Sequence, residues 1–263
     1  MKNICLVFSA LLLCFACKNQ KAEVTVNSTE TSDTTAITAA KYTLTPFTSS
    51  QDFPDAMLKS IDYKNGKFIS DIGGTSYKLG VQTPDAPQKQ CANSAEGQHL
   101  HLIVDTAPYE ARYTPTFDYA IADGEHYVLT FLSRSYHESL KTAEAHKAVK
   151  AVVKNKSFDS VEAIQGPMLF YSRPKGMYTG EDTKKVMLDF YLVNTDLAQY
   201  KVEADINGEK HLIEAWQPYY IEGLPMGDNT IKLSLLDNEG NLANVPLNPV
   251  SRTFKLEQTP EAN

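Results

Sequence analysis

Short runs in which apolar and polar residues alternate predict β-strands along most of the chain. Residues 59–63 and 67–72 flank Asn65-Gly66, a pair that tolerates the positive φ angles of a tight hairpin turn. Further strand-length segments rich in Val, Ile, Tyr and Phe lie at 99–105, 126–134, 149–153, 186–194, 200–206 and 230–237. Helical turns are expected only within 85–95 or 140–146. The pattern therefore predicts an all-β protein with short antiparallel strands.

The second half of the chain repeats the first at an offset of 103 residues. The segment 113–117 (Tyr-Thr-Pro-Thr-Phe) aligns with 216–220 (Trp-Gln-Pro-Tyr-Tyr), which gives an aromatic-x-Pro-x-aromatic pattern in each half. The same shift aligns Gly124 with Gly227, and the alternating strand after each glycine, without a gap. We predict two tandem copies of one β-sandwich domain, at 42–160 and 161–257.

The second copy carries turn sequences that resemble those of bacterial immunoglobulin-like domains. They are Pro-Lys-Gly at 174–176, Ile-Asn-Gly at 206–208 and Gly-Leu-Pro-Met-Gly-Asp-Asn-Thr at 223–230. The resemblance implies two tandem immunoglobulin-like antiparallel β-sandwiches, a fold that usually binds, spaces or presents other molecules. The whole chain resembles bacterial cell-envelope lipoproteins of this layout. Some of those carry a phosphopeptide-binding label, for which this chain shows no recognition signature.

The start of the chain predicts export and attachment to a membrane. A basic start with Lys2 precedes an apolar run at 4–16 that is too short to span a bilayer as a helix. Ala16-Cys17 resembles a relaxed lipobox of bacterial lipoproteins, because positions 14 and 15 depart from its commonest form. The resemblance implies removal of residues 1–16 and lipidation of Cys17; the alternative is an ordinary secretory signal cleaved nearby. We expect a cell-envelope protein anchored in the outer membrane, facing the periplasm or the cell surface.

The segments that flank the predicted sandwiches have the composition of flexible chain. Residues 17–41 are rich in Thr and Ser and contain no aromatic residue, so they cannot bury enough apolar surface to fold. We interpret them as a tether between the lipid and the folded body. The last residues, 258–263, are interpreted as a loose C-terminus.

Charge and cysteine content narrow the range of partners. The formal net charge is −7, and it becomes −8 if residues 1–16, which hold one lysine and no acid, are removed. An acidic surface argues against nucleic acid as a partner and leaves acyl chains as the means of membrane attachment.

Cys5 and Cys14 would be removed with the signal segment, and Cys17 would carry lipid. Cys91 is then the one thiol of the folded body, and no intrachain disulfide can form.

The first copy differs from the second by a long connection and by its histidines. Residues 73–97, between two predicted strands, include Tyr77 and Cys91, and long ordered loops often carry function. His99 and His101 are two residues apart, so their side chains leave one face of a strand about 6.5–7 Å apart. A candidate site for Zn²⁺ or copper consists of Cys91, His99, His101, His126 and His137.

The same histidines have two other interpretations. Leu100, Leu102 and Val104 alternate with them, which favours a strand whose apolar side chains enter the core and whose histidines face outward. That outward face would be a binding surface with the candidate residues Tyr77, His99, His101, Arg134, Tyr136 and His137. A partly buried, hydrogen-bonded histidine pair is the remaining interpretation, with Cys91 as a small buried apolar residue.

One strand of the first copy is apolar on both faces. Tyr127, Leu129 and Phe131 stand where the second copy has Thr, Lys and Ser. Such a strand should be covered on both faces, either by the second copy or by a partner. An exposed apolar stripe favours aggregation, so we predict that the second copy covers it.

The chain contains no Gly-x-Ser-x-Gly element or other convincing catalytic motif. We therefore predict a non-catalytic binding or scaffolding protein whose ligand is a protein, peptide or glycan. The alternative function is Zn²⁺ or copper binding through Cys91 and the histidines of the first copy. An enzyme that acts on envelope glycans or peptides stays open as a third hypothesis.

Overall fold

The computed structural model describes residues 41–259, which form seventeen strands and one short α-helix. The strands are β1 (Thr43–Pro46), β2 (Met57–Lys64), β3 (Lys67–Gly73), β4 (His99–Val104), β5 (Glu110–Arg112), β6 (Thr116–Asp118), β7 (Gly124–Ser133), β8 (His146–Lys154), β9 (Ser157–Ala163), β10 (Met168–Arg173), β11 (Gly176–Thr179), β12 (Val186–Val193), β13 (Lys201–Ile206), β14 (Glu209–Ile213), β15 (Tyr219–Glu222), β16 (Gly227–Leu236) and β17 (Val250–Glu257). Helix α1 spans Ala86–Lys89, and 3-10 turns span Ala143–Ala145 and Gly180–Thr183.

Several predictions concern chain outside the described residues. The signal at 1–16, lipidation of Cys17, nearly all of the tether at 17–41 and most of the C-terminal segment 258–263 fall there. None of the helical segments within residues 41–259 has the length and apolar character needed to cross a bilayer.

The first sandwich consists of two sheets with the strand orders β2-β3-β6 and β5-β4-β7-β8-β9. The predicted hairpin turn joins β2 to β3, with φ angles of 53° at Asn65 and 78° at Gly66. Apolar side chains from the facing sides of the two sheets form one core, which includes Leu58, Phe68 and Leu100. Burial of these alternating side chains stabilises the sandwich without any disulfide.

The second sandwich has sheets of order β1-β15-β12-β10 and β11-β17-β16-β13-β14. Strand β1 belongs to this sandwich, because Thr43–Pro46 pairs antiparallel with Tyr219–Glu222. The domain predicted at 42–160 therefore begins with a strand that lies in the other sandwich. The physical reason is that the edge of β15 offers unpaired backbone groups, which an N-terminal strand can satisfy.

The predicted repeat appears in the strands and in their order. Strands β7 and β16 each contain ten residues and begin at Gly124 and Gly227, 103 positions apart. The isolated bridges after them, Ser133 to Ser139 and Leu236 to Leu242, have the same offset. Strand β4 neighbours β7 as β13 neighbours β16. The predicted fold class, two tandem immunoglobulin-like β-sandwiches, is confirmed.

The two sandwiches pack against each other through a shared apolar layer. Leu129 and Phe131 of β7 belong to one buried cluster with Phe170, Tyr191 and Val193 of the second sandwich. The rings of Phe131 and Tyr191 stack with their centroids 5.3 Å apart. The prediction that the second copy covers the doubly apolar strand is confirmed. Because β4 lies beside β7, its outer face is covered too, and all of its residues are buried.

Candidate metal centre

Strand β4 places two imidazoles side by side in the layer between the sandwiches. Leu100 and Leu102 enter the core of the first sandwich, as the alternation predicts. His99 and His101 leave the opposite face of the strand, yet neither has exposed surface. The prediction that they face solvent is wrong, because the second sandwich packs against this outer face of the sheet and buries it.

A third imidazole comes from the turn after β7. The His137 amide donates to the Arg134 carbonyl at 2.8 Å, and the Arg134 amide donates to the Glu138 carbonyl at 2.9 Å. This turn gives His137 a left-handed φ of 69°. Such a φ costs a non-glycine residue about 1 kcal/mol or more. The corresponding turn of the second sandwich has Gly240 at that position, with φ 87°. A strained backbone position thus carries a histidine where a glycine would be unstrained.

Ring nitrogens of these three histidines converge. His99 Nε2 lies 2.9 Å from His101 Nε2 and 2.9 Å from His137 Nδ1. One nitrogen from each ring lies within 4.8 Å of the other two. Among residues 41–259, no other histidine, cysteine or acid joins this group. We call His99, His101 and His137 the three-histidine site.

Three neutral imidazoles cannot satisfy one another at these distances. His99 Nδ1 lies 2.8 Å from the carbonyl oxygen of Gly97, which can only accept, so Nδ1 carries the proton. His99 Nε2 then offers one lone pair to two nitrogens, from His101 and His137, that are both 2.9 Å away. One of them can donate to it, and the other faces an occupied lone pair. A cation bound by all three nitrogens would remove this conflict.

Burial keeps the three-histidine site uncharged. It lowers the pKa of His99 to about 4 and the pKa values of His101 and His137 well below the ordinary imidazole value. The cations of Arg173 and Lys175 act in the same direction, since nearby positive charge disfavours imidazolium. Neutral imidazole is the form that binds metal ions. The ligands are therefore in their binding form at neutral pH.

Aromatic and cationic side chains surround the site. Tyr109 stacks on His101 with ring centroids 3.7 Å apart, and its hydroxyl lies 3.4 Å from His137 Nδ1. The Lys175 ammonium, from the second sandwich, lies 4.0 Å from the centroid of the Tyr109 ring. Within the described residues His101 Nδ1 has no hydrogen-bond partner. These contacts fix the orientation of the His101 ring by packing rather than by a second hydrogen bond.

The larger ligand set predicted from the sequence needs correction. Cys91 lies in a separate buried cluster with Phe47 and Tyr220, because the long loop turns away from β4 before the strand begins. Burial raises the pKa of the Cys91 thiol to about 12, so it is not a thiolate. His126 lies near the start of β7, far along the strand from His137, and its Nδ1 is 2.7 Å from the Asp105 carboxylate. Neither residue joins the three-histidine site.

The remaining residues of the predicted binding face are structural. Tyr77 is buried and its hydroxyl donates to the carbonyls of His99 and Ser133, at 3.0 and 2.8 Å. Arg134 is nearly buried and its guanidinium donates to the Gln51 carbonyl. Tyr136 is fully buried. The open surface expected there does not form, because Tyr77 packs in the core of the first sandwich, Arg134 binds the chain at residue 51, and Tyr136 lies in the buried cluster that contains Cys91 and Tyr220.

The loop at 73–97 supports the turn that carries His137. Thr83 and Ser135 hydrogen-bond to each other twice, through Thr83 N to Ser135 Oγ at 3.2 Å and Ser135 N to Thr83 Oγ1 at 2.9 Å. The Ser94 amide donates to the Ser135 carbonyl at 2.8 Å. A surface cavity of about 700 Å³ lies between this loop and residues 181–185. The long connection thus holds the third ligand in place from the side of the first sandwich.

Sequence reasoning missed the residues that enclose the three histidines. Tyr109 and the Gly97 carbonyl contact the imidazoles directly, and no pattern in the sequence marks either one. Arg173 and Lys175 come from the second sandwich, and a cation-rich Ser-Arg-Pro-Lys sequence at 172–175 was the available signal. It could not be linked to the histidines without knowledge of how the two sandwiches pack.

Comparisons with known proteins show a distant similarity to other β-rich chains. No protein-family model matches the chain, and no curated protein is similar to it in sequence. Fibronectin(III)-like modules of CbhA from Clostridium thermocellum are 12% identical with a TM-score of 0.29, over 84% of this chain and 97% of that one. SGBP-B of the Bacteroides ovatus mixed-linkage glucan utilization locus, solved with a mixed-linkage heptasaccharide, is 11% identical with a TM-score of 0.18 over 82% of this chain.

A third structure, the extracellular domain of a hybrid two-component system from B. thetaiotaomicron, is 8% identical with a TM-score of 0.25 over 82% of this chain. This chain spans 47% of the SGBP-B chain and 36% of the two-component chain. Similarity at this level carries no argument about a ligand.

Proposed function

We propose that this protein is a non-catalytic, lipid-anchored protein of the cell envelope that binds a transition-metal ion through His99, His101 and His137. The observation that carries the proposal is the convergence of three ring nitrogens, two of them 2.9 Å from His99 Nε2. Imidazole nitrogens are ligands that suit both zinc and copper.

The surroundings of the ligands support metal binding over a plain hydrogen-bonded cluster. His99 is oriented by its Nδ1 proton, donated to the Gly97 carbonyl, an arrangement typical of metal-binding histidines. His137 occupies a left-handed position that a glycine would fill without strain. Strain of this kind concentrates at functional positions. A cation would give all three lone pairs a partner.

The burial of the ligands supports binding rather than catalysis. A catalytic metal keeps an open coordination position for water or substrate. His99 and His101 have no exposed surface, and only His137 is partly exposed. Among residues 41–259, no carboxylate belongs to the convergent group that could serve as a general base. We therefore favour capture or storage of an ion.

Metal content of the purified protein tests the proposal. We expect stoichiometric zinc or copper in full-length protein purified in detergent without chelator, and its loss in the variant His99→Gln/His101→Gln. His211→Gln is the matched control, because His211 lies in the second sandwich outside the group. Saturating metal should also raise the free energy of unfolding, by about 2.7 kcal/mol at a hundredfold excess over Kd. A protein that is metal-free and ignores added Zn²⁺ and copper would contradict the proposal.

The anchor has a separate test. The lipobox resemblance at Ala16-Cys17 supports lipidation of Cys17, and more than one acyl chain would give stable attachment. We expect Cys17→Ser to move the protein from the membrane fraction to the soluble fraction while metal binding is unchanged. Mass spectrometry of the N-terminal peptide should show acyl chains on Cys17. An unmodified Cys17 in membrane-associated protein would contradict this part of the proposal.

A further inference from the structure

We propose that the cavity of about 700 Å³ between the loop at 73–97 and residues 181–185 binds a short peptide with free ends. The volume lies within the range of about 300–1,000 Å³ that is typical of small-molecule sites. The cavity lies where the two sandwiches meet, which is a common place for such sites. Its lining residues are all different from the three histidines, so this site goes beyond the proposed metal binding.

The charged side chains that line the cavity leave one anion and one cation without an opposite charge. Glu181 and Lys184 form an ion pair with each other at 2.7 Å. Within residues 41–259, neither the Asp182 carboxylate nor the Lys185 ammonium has an ion-pair partner. Asp182 is partly buried, so its carboxylate loses hydration without gaining a charge-assisted hydrogen bond. The ammonium and the carboxylate at the two ends of a peptide would supply both missing partners.

Neighbouring groups hold Lys185 in place at the cavity. Its ammonium donates to Gln90 Oε1 at 3.1 Å and lies 5.2 Å from the centroid of the Tyr220 ring. Two of its protons remain for a ligand carboxylate. Gln90 caps helix α1 with a left-handed φ of 52°, where glycine or asparagine is usual. A strained backbone position thus carries the side chain that holds Lys185, and this order reduces the entropy lost on binding.

Hydrogen bonds fix the orientation of three carboxamides on the cavity wall. Gln82 Nε2 donates to the carbonyls of residues 94 and 95, at 2.7 and 3.0 Å, so its oxygen is the atom that accepts from Asn93 Nδ2 at 3.0 Å. The oxygen of Asn93 is then left as an acceptor. The Lys185 ammonium occupies the oxygen of Gln90, whose nitrogen is left as a donor. One acceptor and one donor are what the N–H and C=O of a peptide group require.

Apolar side chains complete the lining of the cavity. Pro84 and Pro87 are exposed, whereas Ala86 and Cys91 are buried. A wall of apolar side chains with a few oriented polar groups is usual for ligand sites. Among the described residues that line the cavity none is aromatic, so the flat apolar contact that a sugar ring could make with an aromatic face is missing. The lining therefore favours a peptide over a glycan.

The test is a ligand-observed NMR titration of full-length protein in detergent, with trialanine and trileucine as probes. We expect a Kd of about 1 mM or tighter for at least one of them. Acetylation of its amino end, or amidation of its carboxyl end, should weaken binding at least about tenfold. The proposal is wrong if neither tripeptide binds at up to about 10 mM, or if the capped forms bind as tightly as the free one. Equally tight binding of free alanine or leucine would overturn it in favour of an amino-acid site.

Two charge variants assign the binding to this cavity. Asp182→Asn should weaken binding of the free tripeptide at least about tenfold and leave binding of the acetylated form unchanged, because that form has no ammonium. Lys185→Gln should behave in the same way towards the amidated form. Glu181→Gln/Lys184→Gln is the matched control and should change the affinity less than about twofold, since these two charges pair with each other. Equal losses for free and capped peptides would contradict the proposal. Binding should persist in His99→Gln/His101→Gln, which separates this result from the test of metal binding.

Discussion

Strands β4 and β13 occupy the same place in their two sandwiches, yet only β4 carries metal-ligand candidates. His101 faces Phe131 across the β4–β7 ladder, and Glu203 faces Ser234, the equivalent of Phe131, across the β13–β16 ladder. The ligand positions His99, His101 and His137 correspond to Lys201, Glu203 and Gly240. Two copies of one sandwich therefore differ in chemistry at three matched positions.

The two copies differ in what covers the outer face of the sheet. Every residue of β4 is buried, whereas burial alternates residue by residue along β13. Lys201 and Glu203 of β13 are partly exposed, as expected for one solvated face. The comparison teaches that docking of the second copy, more than the strand itself, makes a buried polar site out of an ordinary outer face.

Removing the cover should have the largest effect. Phe131→Ser gives the first copy the residue of the second at the centre of the shared layer, where Phe131 is fully buried. We expect a loss of about 3–5 kcal/mol in the free energy of unfolding, because a large cavity opens in that layer. Urea unfolding measures it. The control Lys232→Ala, at the position matching Leu129, should cost less than about 1 kcal/mol, since its ion pair with Asp205 is partly exposed. Equal costs would show that the cover contributes nothing.

Moving the ligands to the second copy should give a much poorer site. The variant Lys201→His/Glu203→His/Gly240→His puts three histidines at the matched positions. Their side chains stay partly free in solvent and lose rotamer entropy on binding, so we expect metal affinity about 100–1000-fold weaker than at the native site. Competition titration in a His99→Gln/His101→Gln background measures it. Native-like affinity would show that the spacing of the histidines alone suffices and that the cover is dispensable.

Backbone strain at the position of the third ligand should change the free energy of unfolding by a smaller amount. Exchanging histidine and glycine at the matched positions 137 and 240 should shift it in opposite directions in the two copies. Without metal, His137→Gly should relieve about 1 kcal/mol of strain, partly offset by the lost packing of the ring. Gly240→His should cost about 1 kcal/mol through φ, because a Cβ added there would have no other atom within 4 Å. Thermal unfolding in the presence of a chelator gives both values. A destabilisation of His137→Gly larger than that of Gly240→His would show that packing, and not strain, dominates at His137.

Substitutions at the two rejected ligands should have the smallest effect on metal binding. Cys91 lies in a different cluster, and His126 pairs with Asp105. We expect Cys91→Ala and His126→Gln to change metal affinity less than about twofold. The same titration checks this. A tenfold loss in either variant would restore the larger ligand set that the sequence predicts.

The sequence could predict the repeat and eight of the seventeen strands, because these depend on local pattern. Alternation placed Leu100 and Leu102 in the core and His99 with His101 on the opposite face. It could not show that this face is covered, because period-two alternation identifies a face and says nothing about what lies against it. The doubly apolar strand around Phe131 was the one local sign of that cover.

The composition of the site was harder to predict than its location. Cys91 precedes His99 by eight residues, but a loop of that length can lead to any side of a sandwich. His137 joins the site because its left-handed backbone conformation directs its ring towards β4. The sequence does not reveal this conformation, because histidine usually avoids positive φ angles. Tyr109 stacks on His101 through tertiary packing alone.

The pairing of β1 with β15 gives the molecule the plan of a host domain with an insertion. The sandwich that carries the three histidines precedes the other one in the sequence, but β1 lies in that other sandwich. The chain therefore passes from the second sandwich to the first after β1 and returns to the second at β10. A single proteolytic cut between β9 and β10 would leave the two bodies joined through residues 47–56. Tension applied at the N-terminal end would reach β15 before the sandwich that carries the three-histidine site, which is thereby shielded from the pull.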